Sequence, residues 1–137
     1  MQRHNYSYRV SYADTDKMDR VYYANYLEIC ERARTEFLRE IGYPYRAFEE
    51  QGFFFPVRSC QIRYYGYAVY DDELICLSHV SRMRHATLAI TTDIARKDEE
   101  KPLVSATVEL ACVGRNLKPS VMPDAMRTAL EPYMTDN

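Results

Sequence analysis

One long segment of helical periodicity interrupts a chain that otherwise alternates between apolar and polar residues. Its apolar residues recur at spacings of three and four, which is typical of a helix with one buried face. These residues are Tyr26, Cys30, Ala33, Phe37 and Ile41. Gly42 and Pro44 follow, and they are placed to end the helix. A helix of this kind has to cover its apolar face with another element, which limits the folds open to the chain.

Short segments with a period of two, typical of strands with one buried face, make up most of the remaining chain. They cover residues 6–12, 57–64, 74–83, 87–95 and 103–113. Short polar links join the last three, which predicts an antiparallel meander. A closing helix is predicted over Asp124–Leu130, with Pro123 near its first turn. The sequence therefore predicts an α+β fold with one long helix against an antiparallel sheet.

Length and composition predict one globular domain over residues 1–137. Hydrophobic residues make up 47% of the chain, and its net charge is −2. This charge argues against a nucleic-acid or membrane-surface binder, which needs a basic face. The first residues contain no apolar stretch, and no run is long enough to span a bilayer, so we expect a cytoplasmic protein.

The cysteines, histidines and glycines argue against several chemistries. The cysteines lie within apolar segments and form no C-x-x-C pair, which predicts buried reduced thiols. They are Cys30, Cys60, Cys76 and Cys112. The histidines are scattered without a spacing suited to zinc. The glycines form no phosphate-binding loop, and there is no G-x-S-x-G motif, so we expect neither a metal nor a cofactor.

Two carboxylates lie in a polar loop shortly before the helix. Asp14 and Asp16 are followed by the aromatic run Val21-Tyr22-Tyr23, which leads into the helical segment. Free N–H groups and the positive end of the helix dipole gather at a helix start. A carboxylate that faces such donors suits attack on a carbonyl, because the donors hold the oxygen that becomes negative. Asp16 is the strongest candidate, and its alternative role is to cap a turn.

A family resemblance rests on motifs spread over nearly the whole chain. The leading motifs are Tyr12-x-Asp14-Thr15-Asp16, Val21-Tyr22-Tyr23-Ala24-Asn25-Tyr26 and Glu31-Arg32-Ala33-Arg34. Further matches are Val57-Arg58-Ser59, Asp71-Asp72-Glu73-Leu74 and Lys118-Pro119. In these motifs the chain resembles the hotdog-fold acyl-CoA thioesterases. The branch that it resembles most is the hydroxybenzoyl-CoA thioesterase family, including its members associated with the Tol–Pal system.

The resemblance implies a hotdog fold, in which a five-stranded antiparallel sheet wraps around the long helix. It implies that two chains pair into one continuous sheet with an active site at each subunit boundary, as a homodimer or a homotetramer. It also implies hydrolysis of an acyl-CoA substrate to a free acid and CoA without a cofactor.

The resemblance further implies roles for three residues of the acidic loop and the helix start. Asp16 matches the catalytic aspartate, which either attacks the thioester carbonyl or activates water. The backbone N–H of Tyr23 matches the donor that polarises this carbonyl, and Tyr12 matches a tyrosine implicated in some members. The chain departs from the family at Tyr23, where many relatives carry histidine. It also departs at residues 17–20, where a small pair of residues is usual.

The phosphates of the CoA nucleotide are negatively charged, so a protein that binds CoA needs cationic side chains near them. Arg82, Arg84 and Lys118 lie in or beside predicted turns, and Arg58 begins a predicted strand. All four are candidates for phosphate contacts, with ordinary surface charge as the alternative. Asn25 is predicted either to fix the helix start or to contact the substrate.

Two alternatives to an acyl-CoA thioesterase stay open. One is an acyl-carrier-protein thioesterase. The other is a non-catalytic acyl-CoA-binding protein, which the departures at Tyr23 and residues 17–20 motivate. A dehydratase of the same fold is disfavoured, because no histidine is placed near the acidic loop or the helix start. Aliphatic and aromatic acyl groups both fit the pattern.

Overall fold

The computed structural model describes residues 1–135 of the chain. This part contains three helices, five strands and two short 3₁₀ turns, joined by loops. The helices are α1 (Asn25–Glu40), α2 (Tyr45–Glu50) and α3 (Asp124–Leu130). The strands are β1 (His4–Arg9), β2 (Val57–Tyr64), β3 (Glu73–Met83), β4 (Thr87–Arg96) and β5 (Val104–Ala111). The 3₁₀ turns are Tyr12–Asp14 and Glu131–Tyr133. No helix of this described part has the length and apolarity needed to cross a bilayer.

All five strands form one antiparallel sheet in the order β1-β3-β4-β5-β2. β3, β4 and β5 are neighbours both in sequence and in space, which confirms the predicted meander. β2 joins on the far side of β5, where Tyr64 pairs with Val104. A bulge between Val57 and Ser59 interrupts this ladder. β1 and β2 are therefore the two edges of the sheet.

The sheet face that packs against α1 carries the alternating apolar residues that the sequence predicts. Those buried on the strands include Leu74, Cys76, Val80, Leu88, Ile90, Ile94, Val104, Ala106 and Leu110. The helical stripe is buried from Tyr26 to Phe37, and Ile41 at its end is half-buried. Ser78 and Thr92 are also buried, and their hydroxyls bond to each other at 2.8 Å, so neither lacks a partner.

β1 ends earlier than predicted. The alternation in the sequence continues to Tyr12, but the strand stops at Arg9, and Tyr12 lies in a 3₁₀ turn with 73% of its surface exposed. Asp14 stabilises the turn, because its Oδ2 accepts the N–H of Ser11 at 2.9 Å and the hydroxyl of Tyr8 at 2.7 Å. Periodicity does not record such polar contacts, so the sequence overestimates the strand.

The prediction of four buried thiols is wrong for Cys60. Cys30, Cys76 and Cys112 are buried and Cys60 is exposed, although all four are free. Cys60 lies on β2, most of which is exposed because no further strand covers this edge in a single chain. Burial raises the pKa of Cys30 and Cys76 to about 12, so both thiols stay neutral.

A buried histidine links β1 to the end of α1. His4 stacks on Phe37 with ring centroids 5.3 Å apart, and its Nε2 lies 2.7 Å from Oε2 of Glu40. Burial lowers the pKa of His4 and outweighs the opposite effect of Glu40, and burial also lowers the pKa of His79. A histidine whose pKa falls on folding stabilises the folded state above its unfolded pKa of about 6.5. That contribution is lost as the pH falls through the folded pKa.

We expect the melting temperature to fall between about pH 7.5 and about pH 5, and the His4→Gln variant to show a weaker dependence over this range. Thermal unfolding followed by circular dichroism at constant ionic strength measures both. His85→Gln is the matched control, because it makes the same substitution at an exposed histidine. An equal pH dependence in His4→Gln and the wild type would contradict this account.

Candidate active site

The acidic loop folds into a small hairpin that carries Asp16. Thr15 and Val21 form a bridge, and the N–H of Asp16 donates to the carbonyl of Arg20 at 2.8 Å. Asp19 turns the chain with φ of 60°, a left-handed conformation that aspartate tolerates better than most residues. The turn that departs from the family pattern is therefore tight and hydrogen-bonded.

Asp16 is half-buried and uses one carboxylate oxygen to hold this turn. Its Oδ1 accepts the N–H of Met18 at 2.8 Å. Its Oδ2 accepts no hydrogen bond from any residue between 1 and 135. The turn-capping role and a chemical role are compatible, because the capping contact orients the carboxylate and leaves the second oxygen for a substrate or a water molecule.

Asp14, by contrast, has a structural role. Its Oδ2 accepts hydrogen bonds from the Tyr8 hydroxyl, the Ser11 N–H and the Ser11 hydroxyl, at 2.7, 2.9 and 3.2 Å. Burial, together with the bond to Asp14, raises the pKa of Tyr8 to about 12, so the phenol remains a protonated donor. Asp14 therefore anchors the loop to β1 through three hydrogen bonds on one oxygen, whereas the carboxylate of Asp16 accepts a single bond from its own turn.

The backbone of Asp14 ties the loop to the start of α1. Its carbonyl accepts the N–H of Tyr22 at 2.9 Å and Nδ2 of Asn25 at 3.0 Å. Asn25 therefore fixes the helix start by holding the loop and not by capping the helix, whose N-cap is Ala24. A substrate contact by Asn25, the other predicted role, stays a prediction.

Backbone N–H groups at the start of α1, including those of Tyr23 and Ala24, are left without an acceptor among residues 1–135. The carbonyl of Tyr22 accepts the N–H of Asn25 at 2.9 Å, and the carbonyl of Ala24 accepts the N–H of Leu27 at 3.2 Å. The N–H groups of Tyr23 and Ala24 donate to no acceptor in the described part of the chain. They lie at the positive end of a 16-residue helix. An oxygen that becomes negative during a reaction fits this position.

Asp16 acts electrostatically on the aromatic run at the helix start. The pKa of Tyr22 is raised, first by its hydrogen bond with Tyr23 and to a smaller extent by the charge of Asp16. The hydrogen bonds of the Asp14 carbonyl to Tyr22 and Asn25 bring the loop of Asp16 and the free amides to the same end of the sheet, while their chemical roles stay predictions. Among residues 1–135, no group of three or more His, Cys, Asp and Glu side chains is arranged to hold a metal ion.

Exposed tyrosines surround this end of the sheet, and Tyr12 is one of them. Tyr12 stacks on Tyr70 with the ring centroids 3.8 Å apart. Nearby, the Arg20 guanidinium lies 3.9 Å from the centre of the Tyr67 ring. The side chain of Tyr12 makes no hydrogen bond to Asp16 in the described chain, so no direct contact supports the catalytic part that the resemblance implies for Tyr12.

Tyr64 is a site residue whose contact sequence reasoning missed. Its hydroxyl donates to the carbonyl of Tyr23 at 2.9 Å, and its ring packs edge-on to Tyr26 with centroids 5.8 Å apart. Tyr64 ends β2, and 41 positions separate it from Tyr23. Nothing in the local pattern identifies a partner so distant in sequence.

The four predicted phosphate contacts lie at the opposite end of the sheet from Asp16. They are Arg58, Arg82, Arg84 and Lys118. β2 runs from one end of the sheet to the other, with Tyr64 beside the helix start and Val57 beside the cations. Val57 and Tyr64 are about 23 Å apart along the strand, at ~3.3 Å per residue. Glu109 already pairs with two of them, with Arg58 at 3.4 Å and with Arg82. One chain alone therefore does not bring them to Asp16.

Comparison with protein families identifies the group to which the chain belongs. The model of the thioesterase-like superfamily matches residues 10–130, which include the acidic loop, α1 and four of the five strands. The chain belongs to the thioesterase-like superfamily. The five-stranded antiparallel sheet, with one long helix against it, confirms the predicted hotdog fold for this member of the superfamily.

Known proteins align with almost the full chain. The acyl-CoA thioesterase YbgC of Haemophilus influenzae is 37% identical over 123 residues, which are 88% of this chain and 89% of the relative. The crystal structure of a probable thioesterase from Bartonella henselae is 34% identical, with a TM-score of 0.83 over 89% of this chain and 100% of that one. A 1,4-dihydroxy-2-naphthoyl-CoA thioesterase from Synechocystis shares the fold, with a TM-score of 0.87 at 20% identity over 94% and 96% of the two chains.

Proposed function

We propose that this protein is an acyl-CoA thioesterase in which Asp16 is the nucleophile or general base. The backbone N–H of Tyr23 is the donor that polarises the thioester carbonyl. The observation that carries the proposal is a half-buried carboxylate at the same end of the sheet as the N–H groups of Tyr23 and Ala24. These N–H groups have no acceptor among residues 1–135 and lie at the start of a long helix. Membership of the thioesterase-like superfamily and the names of the full-length relatives support the same reaction.

The chemistry requires only a carboxylate and N–H donors. A thioester carbonyl has little ester resonance and accepts attack readily. Asp16 either attacks this carbon, forming a mixed anhydride that water then hydrolyses, or removes a proton from the water that attacks. In both routes the carbonyl oxygen becomes negative and the amide donors stabilise it, and the products are a free acid and a thiol. Loss of one such donor typically slows an enzyme by about 100- to 1000-fold.

The exposed edge strand supports a homodimer, from which a homotetramer can assemble. On β2, 54% of Val57 and 42% of Tyr64 are exposed, and Cys60 in the middle of the strand is exposed as well. An unpaired edge of this kind is a template for a second strand. Antiparallel pairing of two β2 edges places the Tyr64 end of one chain beside the Val57 end of the other.

This pairing also supports the predicted contacts with CoA. The cations at the Val57 end of one chain then approach the Asp16 end of the second chain, so each site is made from two chains. Arg84 and Lys118 are the better candidates for the CoA phosphates, because their side chains form no ion pair within residues 1–135. Arg58 and Arg82 share the charge of Glu109.

A groove beside the free amides supports a place for the acyl group. It has a volume of about 350 Å³ and runs between α1 and β2. Its apolar lining consists of Ala24, Leu27, Val57, Cys60 and Val108, and the charged residues Glu28, Glu31 and Arg34 complete its wall on α1. Because the groove begins at Ala24, an acyl chain in it has its thioester end near the amide donors. The second chain covers the open side along β2.

A thiol-release assay over a panel of thioesters tests this function. The panel contains short and long aliphatic, hydroxybenzoyl and dihydroxynaphthoyl CoA thioesters, together with matched acyl-carrier-protein thioesters. We expect hydrolysis of at least one CoA thioester and slower hydrolysis of its carrier-protein counterpart. Faster turnover of the carrier-protein thioesters would favour the first alternative. Tight binding without hydrolysis across the panel would favour a non-catalytic acyl-CoA-binding protein.

A further inference from the structure

The hydroxyl of Tyr64 is bonded to the peptide unit that carries the N–H of Ala24. It donates to the carbonyl of Tyr23 at 2.9 Å. A peptide unit is planar and trans, so the carbonyl of Tyr23 and the N–H of Ala24 point in opposite directions. A donor fixed on the carbonyl side therefore sets the direction of this N–H on the other side.

The ring of Tyr64 is itself held by the core. It packs edge-on to Tyr26, which is 1% exposed and whose hydroxyl accepts the N–H of Ala68 at 2.9 Å. It also contacts the ring of Tyr23, with centroids 6.2 Å apart. Desolvation, with smaller effects of Tyr23 and Tyr26, raises the pKa of Tyr64. The phenol therefore stays protonated near neutral pH and acts as a donor.

The neighbouring carbonyls of this turn are occupied in the same way. The carbonyl of Tyr22 accepts the N–H of Asn25, and the carbonyl of Ala24 accepts the N–H of Leu27. With Tyr64 on the carbonyl of Tyr23, all three carbonyls have donors. The N–H groups of Tyr23 and Ala24 have no acceptor among residues 1–135. Hydrogen bonds to its carbonyls therefore fix the turn, and the N–H groups of Tyr23 and Ala24 remain available to a ligand.

We propose that Tyr64 is a positioning residue, which holds the Tyr23–Ala24 peptide unit so that the N–H of Ala24 joins that of Tyr23 as a second donor to the thioester carbonyl. The inference rests on the proposed function and adds a donor and a residue that orients it. A hydrogen bond to the peptide carbonyl also polarises the N–H of the same unit, which strengthens the bond it donates.

Tyr64→Phe removes the hydroxyl and keeps the ring. We expect kcat to fall about tenfold with KM changed less than about twofold, a smaller effect than loss of a whole donor because the N–H remains but is less well directed. Tyr65→Phe is the matched control, because the Tyr65 hydroxyl makes no hydrogen bond within residues 1–135 and its loss should change neither constant. A wild-type kcat in Tyr64→Phe would overturn the proposal.

A spectroscopic measurement separates positioning from folding and from turnover. In the Asp16→Asn background, the infrared stretch of a ¹³C-labelled thioester carbonyl reports how strongly the site polarises a bound CoA thioester. We expect Tyr64→Phe to shift this stretch back toward its value in water and Tyr65→Phe to leave it in place. An unshifted stretch in Tyr64→Phe would overturn the proposal. If the wild type hydrolyses no thioester, the proposed function is wrong. Normal turnover in Tyr64→Phe would refute only the positioning role of Tyr64.

A double-mutant cycle tests whether Tyr64 acts through Ala24. Replacing Ala24 with lactic acid converts its amide to an ester and removes the N–H. We expect a large loss of kcat from this change alone and no further loss when Tyr64→Phe is added. Independent, multiplicative losses would show that the hydroxyl acts elsewhere. If Tyr64→Phe folds poorly, the single ester variant still tests the second donor, and a wild-type kcat in it would overturn the proposal.

Discussion

The Asp16→Asn variant is expected to lose about 100- to 10,000-fold in thioesterase kcat while it keeps its fold, which is the range typical of a general base. Asparagine retains an Oδ1 that can accept the N–H of Met18, so the tight turn survives. It has no negative oxygen with which to attack the carbonyl or activate water. Thiol release under saturating substrate measures the loss, and circular dichroism checks the fold.

Asp19→Asn provides the matched control for this prediction. Asp19 lies in the same turn, is exposed and has a φ of 60°, a conformation that asparagine also adopts readily. The charge of the loop changes equally in both variants, so a general electrostatic effect would appear in both. Full activity in Asp16→Asn, or equal losses in the two variants, would refute the assignment of Asp16.

The Cys60→Glu variant is expected to be a folded monomer with activity reduced by about 100-fold or more. Cys60 is exposed near the middle of β2, so pairing of two β2 edges brings the two introduced carboxylates close together. Like charges at short range oppose this pairing. Without a second chain, the site lacks the cations of the Val57 end. The new carboxylate also enters the groove that Cys60 lines, so the measured mass decides whether β2 forms the interface. Light scattering coupled to gel filtration measures the mass, and the thiol-release assay measures activity.

The other edge of the sheet supplies the control. Ser7 is exposed on β1, and Ser7→Glu places the same charge on an edge that the proposed dimer does not use. This variant should remain dimeric and active. Dissociation by Ser7→Glu but not by Cys60→Glu would place the interface on β1. A wild-type protein that is both monomeric and active would remove the two-chain site altogether.

The regular elements could be predicted closely because periodicity records burial directly. The predicted bounds of β2 and α3 agree with the structure, since a proline precedes each element, and Gly66 and Pro132 follow soon after their ends. The end of β1 could not be predicted, because the side chain of Asp14 stabilises the turn at Tyr12–Asp14. The exposure of Cys60 depends on strand order, which places β2 at an edge, and the pattern of a single strand does not contain that information.

Some contacts of the candidate site could also be predicted from the sequence, and others could not. The closeness of Asp16 to the helix start could be predicted, because few residues separate them and the chain must turn between them. The bond from Tyr64 to the carbonyl of Tyr23 links positions 41 residues apart and depends on where β2 ends in the sheet. The positions of Arg58 and Lys118 relative to Asp16 depend on the direction of the strands and on a second chain.

The donors proposed at the helix start have a consequence for how such a protein diversifies. They belong to the main chain, so a substitution at position 23 by any residue other than proline replaces a side chain and retains the N–H group. Natural selection can then vary the size and polarity of the surrounding aromatic surface in single mutational steps without disturbing the reaction. Descendants of one ancestral gene can acquire different substrates in this way while their chemistry stays the same.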